Sequence, residues 1–166
     1  MLKKVYTFAV LLTIFSLFTG CSKSVPFSKL DKERALELSI VNTKKAQIDD
    51  KNSKVYIVVT YLNPLKINMI DKNREVFLVG IYINKKDERK RVQNNPFYKF
   101  YLNNDSTIEK LEPLKKGSAY LKLSPLVSKW SEYYLVEFPY KKSKNLTLTF
   151  ENSSGSRAQL NFAKEL

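Results

Sequence analysis

A single thiol, Cys21, and no histidine bound the chemistry open to this 166-residue chain. A disulfide needs a second cysteine. The common zinc, copper and haem sites lose their thiolate or imidazole ligands. Ser-His-Asp and Cys-His catalysis have no base, and no Ser-x-x-Lys pattern follows Cys21 to supply a lysine instead. With four glycines in the whole chain there is no Gly-rich loop to cradle a phosphate. Carboxylates are the remaining route to acid–base work. Glu137 and Glu151, expected on neighbouring strands with both side chains toward solvent, are the one pair the pattern brings near, and no pocket motif accompanies them. The expectation is a protein without catalytic residue, metal or cofactor.

The thiol itself stands at a singular place. Met1 to Lys4 is a short positive stretch, and Val5 to Phe18 is apolar apart from Tyr6, Thr7, Thr13 and Ser16. That is the length of a signal-peptide core, shorter than the ~20 residues that span a bilayer. Small residues, Thr19 and Gly20, then precede Cys21, as a protease needs beside the bond it cuts. Leu17-Phe18-Thr19-Gly20-Cys21 resembles the lipobox of bacterial lipoproteins, with Phe18 where the usual leucine stands and Leu17 one place further out. The resemblance covers residues 1–21. It implies cleavage before Cys21, a diacylglyceryl thioether on its sulfur and often a third acyl chain on the new amine, which together make a stable membrane anchor. An ordinary secretory signal, or an uncleaved membrane helix, is the alternative. Ser22 after the cysteine points, by analogy with other lipoproteins, to the outer membrane facing the periplasm rather than the inner membrane or the cell surface.

Cleavage there removes Lys3 and Lys4 from the 29 basic residues and leaves 146 residues, 16 of them acidic, with a net charge of +11. Such a charge favours anionic partners: lipid headgroups, lipopolysaccharide, an acidic polymer or an acidic protein. Nucleic acid, the usual partner of so basic a chain, is not expected for an exported, anchored protein. Lysine and asparagine richness also has a bland source in an AT-rich genome.

Residues 1–20 thus read as signal peptide, 21–34 as a lipidated tether reaching about 40–45 Å when extended, and 35–166 as one domain. A helix from Ser28 through Arg34 is the other reading of the tether. From Ala35 the apolar period is two. Leu36, Leu38 and Ile40 suggest a strand; residues 42–53 read as a polar connection. Val55 to Leu62 and Val76 to Ile83 are β-branched and aromatic runs. Phe97 to Leu102 is a further strand, Ser106 to Glu109 a capping-box pattern for one helical turn, and Ala119, Leu121 and Leu123 alternate like a strand. Tyr133 to Phe138, Leu146 to Glu151 and Ala158 to Phe162 complete the set, the last two joined by a turn at 152–156. About eight short strands without a long helix predict an antiparallel sandwich, with a closed barrel as the other possibility. The closing strands, from Tyr133-Tyr-Leu-Val-Glu-Phe138 through the Thr-rich hairpin, resemble those of an immunoglobulin-like domain. The Cys…Trp…Cys core of that family is absent, so the likeness is one of layout.

Three surface features could carry function. The two central runs are apolar on both faces. If Val55, Ile57, Val59 and Tyr61 point inward, Tyr56, Leu78 and Tyr82 point outward, either under cover from the tether and loops or against a protein partner. Phe97, Lys99 and Tyr101 share a strand face, an aromatic–basic–aromatic stripe suited to sugar rings or a membrane interface, or simply flanking a buried neighbour. Basic clusters occur at Lys85 to Arg91, at Lys115-Lys116 and at Lys141, Lys142 and Lys144. Strand alternation places the first at one end of the sandwich and the other two together at the opposite end, as ordinary solvated loops. Two functions follow: a non-enzymatic envelope lipoprotein contacting an envelope protein, or a module for an anionic or carbohydrate ligand.

Overall fold

The computed structural model describes residues 29–50, 53–84, 98–105, 107–152 and 154–164. Cys21 and the rest of the N-terminal segment, the basic run Lys85 to Arg91, Phe97 and Ser106 lie outside the described residues.

An N-terminal helix, α1 (Lys29–Val41), precedes eight strands: β1 (Thr43–Asp50), β2 (Ser53–Tyr61), β3 (Arg74–Ile83), β4 (Lys99–Leu102), β5 (Lys110–Pro113), β6 (Glu132–Pro139), β7 (Asn145–Glu151) and β8 (Arg157–Ala163). They form two antiparallel sheets, ordered β1-β2-β3-β6-β5 and β4-β7-β8. The expected sandwich is present, and the sheets do not close into a barrel. The strands β2-β3-β6-β5 against β4-β7-β8 follow the ABED and CFG order of a constant-type immunoglobulin sandwich, with β1 added outside the first strand.

Period-two patterning explains the core. Val55, Ile57, Val59 and Tyr61 of β2, Phe77, Val79, Ile81 and Ile83 of β3, and Tyr134, Val136 and Phe138 of β6 bury against Phe100, Leu102, Leu146, Leu148, Phe150, Leu160 and Phe162. Aromatic rings join the two sheets at the centre of this core. Phe77 stacks on Tyr61 at 5.0 Å between centroids, is tilted against Phe162 at 5.5 Å and meets Phe138 edge-on at 6.0 Å, arrangements that ring quadrupoles prefer.

A buried ion pair fastens the end of this core. Glu75 of β3 is fully buried, and Lys164, just after β8, is nearly so. The Lys164 ammonium donates to Glu75 Oε1 at 2.6 Å and to the Lys141 carbonyl at 2.5 Å. The Lys141 N–H donates to the same oxygen at 2.9 Å, and the Tyr61 hydroxyl donates to Oε2 at 2.6 Å. The Tyr140 ring covers the ammonium at 3.8 Å. Both carboxylate oxygens are thereby satisfied, as a buried charge requires. Burial, then the hydrogen bond to Glu75, raises the Tyr61 pKa far above a normal phenol, so its proton stays on.

Four stretches differ from the sequence reading. Residues 36–40 are helix, not strand, because Lys-Glu-Arg-Ala-Leu-Glu-Leu is rich in strong helix formers. Ala35, Leu38, Ser39 and Asn42, at helical spacing, turn inward, whereas Leu36, Ile40 and Val41 are exposed. The helix end is closed by its own side chains: Asn42 Nδ2 donates to the Leu38 carbonyl and Thr43 Oγ1 to that of Ser39. Thr43–Asp50 is a strand rather than a connection. At the sheet edge it needs only Ala46 and Ile48 inward, and its charged residues guard the edge. Residues 107–109 form no helical turn; Asp105 instead accepts the Thr107 N–H in a side-chain turn, and β5 follows. Ala119–Leu123 is a 3-10 turn whose Leu121 and Leu123 lie against the outer sheet face.

Two outcomes test this account. Removing one partner of the buried pair, as in Lys164→Met, should cost about 3–5 kcal/mol in urea unfolding, while Glu75→Leu with Lys164→Met recovers much of the loss. Asp105 provides the second. A charge-assisted hydrogen bond from Lys141 at 2.6 Å, then the Thr107 N–H, holds its carboxyl well below the usual range. A depressed folded pKa adds stability in full above the unfolded value of about 4, and that stability is lost as pH falls below it. Wild type should therefore lose its advantage over Asp105→Asn as unfolding is repeated from pH about 5 toward 2.

Candidate functional site

The outer faces of the two sheets are unlike. On β7 and β8 the outward residues are polar, among them Thr147, Glu151, Arg157, Gln159 and Asn161. The outer face of β3 and β6 is instead apolar, with Val76, Leu78, Tyr133 and Leu135 buried. It is covered by Leu62, Leu65, Ile67 and Ile70 from the β2–β3 connection, by Leu114, Tyr120, Leu121 and Leu123 from the β5–β6 connection, and by Leu38 of α1. This covering layer carries exposed apolar groups of its own. Of nine exposed large hydrophobic side chains among the described residues, seven belong to its segments or to the sheet face beneath: Leu36, Ile40, Tyr56, Met69, Leu126, Val127 and Trp130; Val41 instead lies beside Asn145 and Asn161 of the other sheet. Hydrogen bonds knit its parts together. Thr60 Oγ1 lies 2.8 Å from Thr43 Oγ1 and 3.1 Å from Ser124 Oγ, and the Leu126 N–H donates to Ser124 Oγ at 3.3 Å.

Within the layer lies a groove of about 700 Å³ between residues 113–117 and 126–132. Its floor is Leu114, Leu121 and Tyr133; Lys115, Lys116 and Lys129 stand around it. Val127, Ser128 and Lys129 form its lip, and the Lys129 ammonium lies 4.9 Å from the ring of the neighbouring Trp130, which is two-thirds exposed. Two features position the lip. The Tyr133 hydroxyl accepts the Ser128 N–H at 2.6 Å. The Tyr133 ring in turn lies over Gly80, where a Cβ would come within 2.5 Å of its Cε1. Gly80 is thus selected by close approach, in a strand that otherwise favours β-branched residues.

The residues singled out from sequence separate in the fold. Tyr56 and Tyr82 are paired across β2 and β3 and stack at 5.9 Å on the part of the outer face left partly open. Leu78 is not beside them on an open surface; it is buried beneath the covering loops. Lys99 and Tyr101 share the outer face of β4, with the Arg157 guanidinium 5.7 Å from the Tyr101 ring. Phe97, the third member of that stripe, lies outside the described residues, as does Cys21.

The two basic clusters at 115–116 and 141–144 sit at opposite ends of the sandwich. The strand expected at 119–123 lies instead at Lys110–Pro113, ahead of Lys115, which carries that cluster to the other end. Glu137 and Glu151 are on different sheets, not on neighbouring strands. Glu137 is held by Arg74 at 2.7 Å and Lys110 at 3.5 Å, and Glu151 by Arg157 at 2.6 Å, so both serve ion pairs. Among the described residues no three potential metal ligands converge. The groove escaped the sequence reading because its walls come from segments with no periodicity. Gly80 was its one visible trace.

Comparison with protein-family models, with curated proteins and with solved structures finds no match.

If Gly80 exists to seat Tyr133, Gly80→Ala should destabilise the fold by about 1–3 kcal/mol through overpacking. It should also shift the emission of Trp130, the one tryptophan in the chain, by displacing the lip.

Proposed function

We propose that this chain is a lipoprotein of the bacterial cell envelope, anchored through lipid on Cys21, on the periplasmic side of the outer membrane. Its sandwich works without catalysis, as an interaction module in an envelope protein assembly. The observation that carries this reading is the segregation of exposed apolar side chains onto one side of the domain while the opposite sheet presents a polar face. Exposed apolar side chains gathered on one side, with aromatic members among them, are what a protein partner covers. Tyr56, Tyr82 and Trp130 are the aromatic anchors, and Leu36, Ile40, Leu126 and Val127 the surrounding apolar contacts. The anchor brings this side to a partner held in the same membrane, which raises its effective concentration.

Crosslinking capture from intact cells checks the proposal. Wild type should hold one envelope protein that Cys21→Ser does not, and the contact should survive salt of about 1 M because apolar burial is not screened. Tyr56→Ser combined with Tyr82→Ser should weaken capture without unfolding the domain. A contact that salt dissolves, or that both variants retain, contradicts this reading.

A further inference from the structure

We infer that the groove between residues 113–117 and 126–132 receives an acidic, extended segment of the protein partner, with one bulky apolar side chain seated on its floor. This deepens the interaction-module reading and rests on it.

Charge comes first. Lys115, Lys116 and Lys129 are all exposed, and none makes an ion pair among the described residues. Lys110, Lys141, Lys164, Arg74 and Arg157 each hold a carboxylate at 2.8 Å or less, so the lysines of the groove are among those left open to an outside acid. The acid at the groove, Glu132, keeps its charge while one carboxylate oxygen accepts the Tyr134 hydroxyl at 2.6 Å. The groove therefore carries three lysines against one carboxylate around an apolar floor. Aspartate and glutamate on an incoming chain would meet them at the rim, where such pairs steer encounter and set register. The floor of Leu114, Leu121 and Tyr133 supplies the apolar contact that holds.

Shape decides between a chain and a bilayer. A membrane surface takes a protruding apolar element, whereas this feature is concave and of a size that clefts for bound groups have. Trp130 lies between the lining residues Lys129 and Ser131, so its emission reports on this segment.

Random-sequence peptide arrays, probed with the full-length lipidated chain in detergent micelles, test this. The expected result is enrichment of peptides with several aspartates or glutamates around one large apolar residue. Such peptides should change Trp130 emission saturably, and Lys115→Glu, Lys116→Glu and Lys129→Glu together should cut binding at least about tenfold with circular dichroism unchanged. Enriched peptides without acids, no enrichment, or binding that survives charge reversal would each overturn the inference. So would quenching of Trp130 by brominated phosphatidylglycerol vesicles in the absence of peptide binding, which would assign the lip to lipid. Mass measurement of the same preparation reports lipid on Cys21. An unlipidated chain defeats the anchor reading, whereas a lipidated chain that ignores peptides defeats only the groove.

Discussion

The carboxylate of Glu75 is the point on which both sheets converge. It sits on β3, takes a proton donor from β2 through Tyr61, another from the crossing between the sheets through Lys141, and the ammonium of Lys164 at the end of the final strand. Burying a charge is costly unless its lone pairs are satisfied and its counter-ion is close. Here both conditions hold, so the cost becomes specificity: only one arrangement of four chain segments meets it. An immunoglobulin sandwich usually secures its sheets with a disulfide. This one has no second cysteine, and relies on the Tyr61–Phe77–Phe162 rings inside and the Glu75–Lys164 clamp at the end.

That frame frees the outer side of the large sheet for another layer. A sheet face of Val76, Leu78, Tyr133 and Leu135 cannot stand in water, and the helix and two long connections cover it. Their inward residues complete a second small core, and their outward residues leave Leu36, Ile40, Val127 and Trp130 exposed. The protein is therefore two-sided, polar over β7 and β8 and apolar over α1 and the loops. The helix α1 belongs to that apolar side, contributing Leu38 inward and Leu36 and Ile40 outward.

Sequence legibility followed burial. Val55 to Leu62, Val76 to Ile83 and the strands from Tyr133 onward were plain because β-branched runs and period two reflect strands packed on at least one face. Edge elements were not: Thr43–Asp50 needs only two inward apolar residues, and Lys110–Pro113 is too short to show a period. The helix was misread because Leu36, Leu38 and Ile40 happen to alternate; its inward stripe is Ala35, Leu38, Ser39 and Asn42, half of it polar and invisible to hydrophobic periodicity. Of the site, Tyr56 and Tyr82 were legible as outward aromatics. The cover over Leu78, and the groove with its three lysines, depend on contacts far apart in sequence, which no local pattern encodes.

The most direct measurement is site-specific photocrosslinking in intact cells, with the photoreactive residue placed at Ile40 or Trp130 on one side and at Thr147 or Gln159 on the other. If the apolar side is the working face, Ile40 and Trp130 should yield the same protein adduct while Thr147 and Gln159 yield none. Adducts confined to Thr147 and Gln159, or absent from all four positions, would contradict the account.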